Sequence, residues 1–322
     1  MRLMDHDRIL FVTKTGKLFV LRGFEIPEAS RNALGSPLVD LLPGRDSGDT
    51  VQAILPASPE AFDADEQSSL VLVTRGGTIK RTGLSQFENV KASGVRAIGL
   101  KEGDEVVEAC LCGPEERGEV AFVVASDGLA AVYPINSVRE MSSRTGQGVR
   151  GIDVSRHRGR DDATVVGALV VQSPALVESL DAEATEADDT DDEGEDAGLS
   201  LASMGGPWVL FVTRQGHAKR TPLGVFRAKG RNQKGVVTLP RKLIDSGADG
   251  IAAVAIIRDF QSDVLVSTRN GVINRISAKD ISVQSRGARG TKLMKIDAQD
   301  SVVAVTVVPF GDDPTGSGSS DE

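Results

Sequence analysis

The sequence is poor in the residues from which catalytic and metal sites are usually built. Its 322 residues include two cysteines, three histidines, one tryptophan and one tyrosine. Cys110 and Cys112 stand at i and i+2, where a disulfide would be strained, so we expect two reduced thiols and no zinc site. No apolar run approaches the roughly 18 residues that span a bilayer, and the N-terminus has no signal-peptide pattern, which predicts a cytoplasmic protein.

Motifs for nucleotides and cofactors are also scarce. No GxxxxGK[ST] segment occurs, so we expect no ATP site. The spacing Gly146-x-Gly148-x-x-Gly151 fits the dinucleotide pattern formally, but it lacks the strand before it and the helix after it that this chemistry requires. No nucleophile–base pair or carboxylate pair recurs, and we predict no catalytic residue, no metal and no cofactor in this chain.

Acidic residues are concentrated in two segments. Eleven acids and no base lie between Glu178 and Gly198, and four more acids lie in the tail after Gly311. Without these fifteen acids the formal charge changes from −9 to +6, so the remainder of the chain is basic. Such composition predicts a disordered acidic insert over residues 178–204 and a disordered acidic tail over residues 311–322. Competition with a bound polyanion for the basic surface and a simple gain in solubility are both open as roles for them.

A pattern of strand, glycine and strand recurs five times. A β-branched, apolar segment ends at the first glycine of each repeat: Gly16, Gly77, Gly128, Gly216 and Gly271. A second glycine follows 17 to 20 residues later: Gly35, Gly94, Gly148, Gly235 and Gly290. Each repeat then closes with an apolar run: Val51–Leu55, Val106–Leu111, Val165–Val171, Ile251–Ile257 and Val302–Val308.

These repeats predict an all-β, propeller-like fold. A glycine between two apolar segments is typical of a tight hairpin turn, because glycine adopts positive φ at little cost. Units of about 50 residues therefore predict small sheets of four strands, which must stack to bury both faces. We place the repeats at about 6–56, 68–113, 118–172, 207–258 and 262–309, in one domain over residues 6–309, with the acidic insert as a loop between the third and fourth.

Several segments, in register with the repeats, resemble a known family. They are Lys80-Arg81-Thr82, Lys219-Arg220-Thr221-Pro222-Leu223, FEIPEASR at 24–31 and RTGQGVRG at 144–151. They are similar to signatures of the C-terminal domain of bacterial DNA gyrase A subunits, blades two to six, over about residues 6–309. The basic heptad of the family's first blade is missing, and the segment most similar to it is Lys229–Gly235. We therefore expect a fragment, a truncated product or a separately encoded piece.

The resemblance implies a β-pinwheel, in which neighbouring blades exchange a strand and DNA wraps around a basic rim. It implies a non-catalytic domain that binds, bends and wraps double-stranded DNA and supports ATP-dependent negative supercoiling by the holoenzyme. The implied protein partners are the gyrase A N-terminal core and gyrase B.

Wrapping DNA without choosing a sequence requires cations that contact phosphates along a curved surface. Bases recur just before the second glycine and on the strand after the first. We predict as DNA-binding residues Arg31, Lys80, Arg81, Lys91, Arg144, Lys219, Arg220, Arg231, Lys234, Arg275, Arg286 and Arg289. The alternative for any one of them is an ordinary solvated surface charge.

Two other functions are open from the sequence. The C-terminal domain of a topoisomerase IV A subunit shares the repeat, although the EIPEASR segment favours gyrase. A propeller used only for protein–protein interaction is the alternative from another class, and it predicts no salt-dependent affinity for DNA.

Overall fold

The chain folds into short β-strands joined by tight turns. The structure, a computed structural model, describes residues 3–30, 32–154, 163–173, 176, 201, 205–231 and 235–309. Arg31, Lys234, the tail and, apart from Leu201, the acidic insert lie outside them. The described part contains nineteen strands, β1 to β19, and confirms the predicted all-β class.

Helices in the described part are short. Two are α-helical, α1 (Leu38–Leu41) and α2 (Arg241–Ser246). The 3-10 turns are Gly23–Glu25, Pro59–Phe62, Ala64–Glu66, Leu84–Phe87, Glu115–Arg117, Ile135–Ser137, Leu223–Val225 and Ala278–Asp280. None of the helices among the described residues has the length and apolar character to cross a membrane.

The chain divides into two compact units. The first comprises Met1–Val123, Ala131–Ala182 and Ala228–Gly235, and the second comprises Val124–Ala130, Glu183–Arg227 and Val236–Glu322. The first two sheets belong to the first unit, and the fourth and fifth sheets belong to the second.

Each sheet is built around one hairpin. The first sheet has the order β3-β1-β2-β6, with β1 Arg8–Thr13, β2 Lys17–Arg22, β3 Val51–Ala57 and β6 Val95–Arg96. The second has the order β10-β5-β4-β7, with β4 Ser69–Thr74, β5 Thr78–Gly83, β7 Val106–Cys112 and β10 Val149–Arg150. The third has the order β11-β8-β9-β14, with β8 Glu119–Ala125, β9 Leu129–Pro134, β11 Val165–Gln172 and β14 Val236–Val237.

The remaining two sheets follow the same plan. The fourth has the order β15-β12-β13-β18, with β12 Trp208–Thr213, β13 His217–Pro222, β15 Ile251–Ile257 and β18 Thr291–Lys292. The fifth has the order β17-β16-β19, with β16 Asp263–Thr268, β17 Ile273–Ser277 and β19 Val302–Val308. The five predicted apolar runs thus lie in the closing strands β3, β7, β11, β15 and β19.

The first glycines end the hairpin turns as predicted. Their φ angles lie between 78° and 86°, a region that L side chains adopt only at a cost. In four repeats an aspartate before the closing strand accepts a hydrogen bond from a turn amide. The donors are Thr15 to Asp49 at 3.3 Å, Gly76 to Asp104 at 2.8 Å, Gln215 to Asp249 at 3.2 Å and Asn270 to Asp300 at 3.1 Å. This recurring carboxylate ties the turn to the closing strand.

The outer strand of four sheets comes from the following repeat. The residues after Gly94 pair with β2, those after Gly148 with β5, those after Gly235 with β9 and those after Gly290 with β13. The strand exchange that the resemblance implied is therefore confirmed at these four places.

The fifth sheet differs from the other four in its number of strands. Within the described residues it has three strands, and none pairs with the outer edge of β17. The exchange accounts for the difference: the fifth repeat contributes four strands, as predicted, but three of them, β16, β17 and β19, form its own sheet and the fourth, β18, pairs with the sheet before it.

The strands β1, β4, β8 and β12 are buried almost along their whole length, and sheets stack within each unit. In the first unit, Leu10 and Val12 of the first sheet share a buried cluster with Leu70 and Leu72 of the second. The opposite face of β1, with Ile9 and Phe11, packs on Phe19 and Leu42. A corresponding cluster in the second unit joins the fourth sheet to the fifth. Burial on both faces explains why these strands are almost wholly apolar.

Candidate nucleic-acid interface

The exchanged strands carry basic side chains to the outer edges of the sheets. The second residue of the exchanged strand is Arg96 in the first sheet, Arg150 in the second and Lys292 in the fourth, and all three are exposed. In the third sheet this position holds Val237. Because the exchanged strand is the last strand of its sheet, it presents these cations to solvent.

Arg96, Arg150 and Lys292 are absent from the residues predicted from sequence. Each stands two residues after the second glycine of its repeat, so the repeat spacing carried a signal for them. Their place at a sheet edge depends on strand exchange between repeats, which glycine spacing does not reveal.

The loops that lead into the exchanged strands hold most of the predicted cations that face solvent. Lys91, Arg144 and Arg289 are exposed, and Arg231 and Arg286 are half-buried. Nη1 of Arg231 donates to the carbonyl of Arg150 at 3.2 Å, which joins this loop to the exchanged strand of the second sheet. Loop and strand together form one basic edge.

The electrostatics at the fourth sheet reflect this positive charge. His217 pairs across the strands with Lys292, and its Nδ1 lies 3.7 Å from Oδ2 of the buried Asp249. Burial and the nearby Arg289 lower the pKa of His217, Lys292 adds to the shift, and Asp249 opposes it. The lowered pKa favours the neutral imidazole, and Arg289 and Lys292 supply the positive charge beside it.

Lys80 and Lys219 do not lie on the surface. Their relative exposures are 1% and 0%. Nζ of Lys80 donates to the carbonyls of Ala97 at 2.7 Å and Arg144 at 2.6 Å. Nζ of Lys219 donates to the carbonyl of Ser285 at 2.8 Å and to that of Arg286. In this arrangement neither ammonium faces a DNA phosphate, because backbone carbonyls surround it.

Three further predicted arginines make contacts with other groups of the protein. The Arg81 side chain is 12% exposed and lies 3.5 Å from Glu115 and 3.7 Å from Glu140. Arg220 is 4% exposed; its Nε donates to the Ile281 carbonyl at 2.7 Å, and its guanidinium lies 4.8 Å from the Phe260 ring. Burial lowers the pKa of Arg220. Arg275 is exposed, but its Nε pairs with Asp263 at 2.6 Å.

The tyrosine and the two cysteines are withdrawn from solvent to different degrees, with Tyr133 and Cys112 buried and Cys110 half-buried. Tyr133 is 1% exposed, and burial raises the pKa of its hydroxyl. Cys110 and Cys112 are free thiols, and burial raises the pKa of Cys112 to about 12. Hydroxyl and thiol nucleophiles act as anions or beside a base, so this environment suits packing and not nucleophilic chemistry.

The formal dinucleotide pattern has a structural explanation. Gly148 adopts a φ of 89°, and a Cβ there would lie 2.6 Å from the Ile79 carbonyl oxygen. A Cβ at Gly151 would lie 2.7 Å from the Tyr133 hydroxyl. Both glycines permit close packing of the exchanged segment on the second and third hairpins, and a two-residue strand follows Gly148 where the pattern requires a helix.

Comparison with protein families gives one match that covers most of the chain. The family described as "DNA gyrase C-terminal domain, beta-propeller" matches residues 7–58, 68–109, 120–172, 207–258 and 262–309. Each matched segment coincides with one hairpin and its closing strand.

Two similar relatives are A subunits of DNA gyrase. The chloroplastic/mitochondrial A subunit of DNA gyrase from Arabidopsis thaliana is 31% identical over 98% of this chain and 31% of its own length. The A subunit of DNA gyrase from Synechocystis sp. is 31% identical over 95% of this chain and 34% of its own length. The chain spans about a third of the length of these relatives.

Solved structures share the fold at low sequence identity. The C-terminal domain of DNA topoisomerase IV matches with a TM-score of 0.73 at 19% identity, covering 94% of this chain and 80% of the other. The DNA gyrase A C-terminal domain matches with a TM-score of 0.67 at 20% identity, covering 95% and 84%.

Proposed function

Since the chain belongs to the family of DNA gyrase C-terminal β-propeller domains, we propose that it is a non-catalytic module that binds, bends and wraps double-stranded DNA. In the cell it serves a cytoplasmic gyrase, in which the gyrase A core and gyrase B carry out the ATP-dependent negative supercoiling. The chain contributes a DNA surface to that reaction and no reacting group, which agrees with the burial of Tyr133.

The observation that carries the proposal is the recurring basic edge. Exposed cations stand at one position of the exchanged strand in three of four sheets, Arg96, Arg150 and Lys292. A surface that repeats one charge from sheet to sheet matches a polymer that repeats one charge along its backbone. Lysine and arginine side chains that meet phosphates release condensed counterions, which gives affinity without sequence choice.

The proposed contact set differs from the one that the sequence alone gave. It comprises Arg96, Arg150 and Lys292 on the exchanged strands with Lys91, Arg144, Arg231, Arg286 and Arg289 on the loops before them. It omits Lys80, Lys219, Arg81 and Arg220, whose cationic groups are engaged inside the protein. Arg275 is omitted as well, because its Nε lies 2.6 Å from Asp263, a closer pairing than the 3.2 Å between Nη1 of Arg150 and Asp153.

Affinity for a linear duplex of about 150 base pairs, measured across a salt series, tests the proposal. We expect log K to fall steeply with log salt, and ligation of nicked circles in the presence of the chain to shift their linking number. A steep slope without a shift would limit the function to binding. An absence of binding at low salt would overturn the proposal and favour a protein-interaction surface.

A charge-reversal triple shows whether the basic edge is the contact surface. Arg96→Glu, Arg150→Glu and Lys292→Glu together should lower the salt slope by about 3, since each phosphate contact contributes about 0.9. The matched control makes the same change at three exposed bases outside the recurring positions, Lys242, Arg258 and Lys279. Equal losses in the two triples would show that net charge, and not this edge, accounts for binding.

A further inference from the structure

Two buried lysines stand at corresponding positions of two sheets. Lys80 is three residues after Gly77 in β5, and Lys219 is three residues after Gly216 in β13. Burying an ammonium is costly unless its donors are satisfied. In both sheets backbone carbonyls accept hydrogen bonds from the buried ammonium.

The carbonyls lie in the loops that carry predicted DNA-contacting arginines. Lys80 holds the carbonyl of Arg144, and Lys219 holds the carbonyls of Ser285 and Arg286. Arg144 and Arg286 each stand four residues before the second glycine of the following repeat. The same bond thus recurs twice, in each case from a hairpin to the loop that precedes its exchanged strand.

Further contacts pack the loop against Lys80 and its neighbours. The amide of Gly99 donates to the carbonyl of Gly146 at 3.1 Å, next to the two carbonyls that Lys80 joins. A Cβ at Gly148 would lie 3.0 Å from Cβ of Lys80. The lysine side chain is therefore packed under the loop, while the Arg144 side chain is exposed above it.

The first and third sheets lack this arrangement. The position of Lys80 is held by Phe19 in the first sheet and by Ala131 in the third. Phe19 packs under Gly94, whose Cβ would lie 2.7 Å from the ring, and Ala131 has no side-chain donor. A buried lysine that donates to the loop is therefore found in the second and fourth sheets and is not a feature of every repeat.

We propose that Lys80 and Lys219 are positioning residues of the DNA surface, each holding the following loop by ammonium–carbonyl hydrogen bonds so that Arg144 or Arg286 meets the phosphate backbone at a fixed place. This inference rests on the proposed function. It assigns the two lysines of the KRT segments to orienting a contact residue of the next repeat.

The test uses Lys80→Met and Lys219→Met in the full chain, which remove the donors and keep an unbranched apolar side chain. Hydrogen exchange without DNA should become faster at the amides of residues 143–147 in the first variant and 284–288 in the second, while β4 and β12 exchange as in the unchanged chain. Unaltered exchange in both loops would overturn the proposed clamp, whatever the chain does with DNA.

Coupling between Lys80 and Arg144 tests the link to DNA. Lys80→Met should weaken affinity about fivefold, the usual net worth of one hydrogen bond. Arg144→Met should also lower the salt slope by about 0.9 as a direct contact. In the double variant the second change should add almost nothing, because the lysine acts through the arginine.

Multiplicative losses in the double variant would overturn the positioning role, since they would show that Lys80 acts apart from Arg144. Should Lys80→Met fail to fold, the pair Lys219→Met and Arg286→Met provides the same cycle in the second unit. If the unchanged chain binds no DNA, the proposed function and the positioning role fail together, while the exchange measurement still decides whether the clamp exists.

Discussion

The fourth and fifth sheets each have a hairpin and a closing strand in corresponding places, but they differ in one element, the exchanged strand. In the fourth sheet β18 pairs with His217 and Ala218, and Ala218 is fully buried. In the fifth sheet no described strand pairs there, and Ile273, which corresponds to Ala218, is 66% exposed. The difference shows that the hairpin and the closing strand form one structural unit. The exchanged segment is a separate element that covers the outer edge of the hairpin.

The exchanged segment of the fourth sheet has two roles. It buries the outer edge of the hairpin: a Cβ at Gly216 would lie 2.9 Å from the Met294 carbonyl oxygen, whereas a Cβ at Gly271 would meet nothing within 4 Å. It also carries the basic side chain of the edge, Lys292. Stability and the proposed DNA surface therefore depend on the same short segment.

The largest expected effect comes from two isoleucines at corresponding positions. Ile79 is buried under the exchanged strand of the second sheet, and Ile273 is exposed in the fifth. Ile79→Ala should lower the free energy of unfolding by about 3 kcal/mol, as for other buried isoleucines. Ile273→Ala should change it by less than about 0.5 kcal/mol. Urea denaturation followed by circular dichroism measures both, and similar losses would show that β17 is covered in solution.

Two turn glycines separate backbone strain from packing. Gly216 and Gly271 have φ angles of 80° and 86°, so replacement by alanine costs both turns about 1–2 kcal/mol. Gly216→Ala should cost about 1–2 kcal/mol more, because its Cβ meets the exchanged segment. Fluorescence of Trp208, the single tryptophan, reports unfolding of both variants in denaturant. Equal losses of unfolding free energy in the two variants would contradict the view that an exchanged segment packs on the fourth hairpin and that no described segment packs on the fifth.

The closing strands also differ in one side chain, and this difference makes the stability of the fold depend on pH. Glu108 of β7 stands where β15 and β19 have Ala253 and Ala304. Burial raises the pKa of Glu108 to about 7 from an unfolded value of 4.5. The folded state binds this proton more tightly, so its contribution to stability is present below pH 4.5 and is lost as pH rises through about 7.

Glu108→Gln should remove that dependence and stabilise the chain above pH 7 by on the order of 1–3 kcal/mol. Melting temperatures between pH 4.5 and 8 measure it, and Ala253→Gln is the control at the corresponding position of the fourth sheet. A slope unchanged by Glu108→Gln would assign the pH dependence to other groups.

The smallest effect concerns DNA and two exposed lysines of the same unit. Lys292 lies on the exchanged strand of the fourth sheet, and Lys279 lies on a 3-10 turn of the fifth. Lys292→Met should lower the slope of log K against log salt by about 0.9, the contribution of one phosphate contact. Lys279→Met should leave the slope unchanged. A loss at Lys279 equal to that at Lys292 would move the proposed surface away from the exchanged strands.

Much of the fold could be predicted from the repeat. The glycines at positions 16, 77, 128, 216 and 271 locate the hairpin turns because only positive φ closes them, and the five apolar runs locate the closing strands. The site was less accessible. Lys80 and Lys219 look like surface cations in sequence, but tertiary packing places carbonyls around them.

By itself, then, the sequence determined the local elements: where each hairpin turns, which strands are buried on both faces and how often the unit recurs. These follow from φ preferences and side-chain apolarity, which are properties of neighbouring residues. Only the tertiary structure decided which sheet receives the segment after each second glycine. That pairing joins residues as far apart as Lys17 and Arg96 or His217 and Lys292. It decided which cations face solvent, because exposure depends on packing between distant segments.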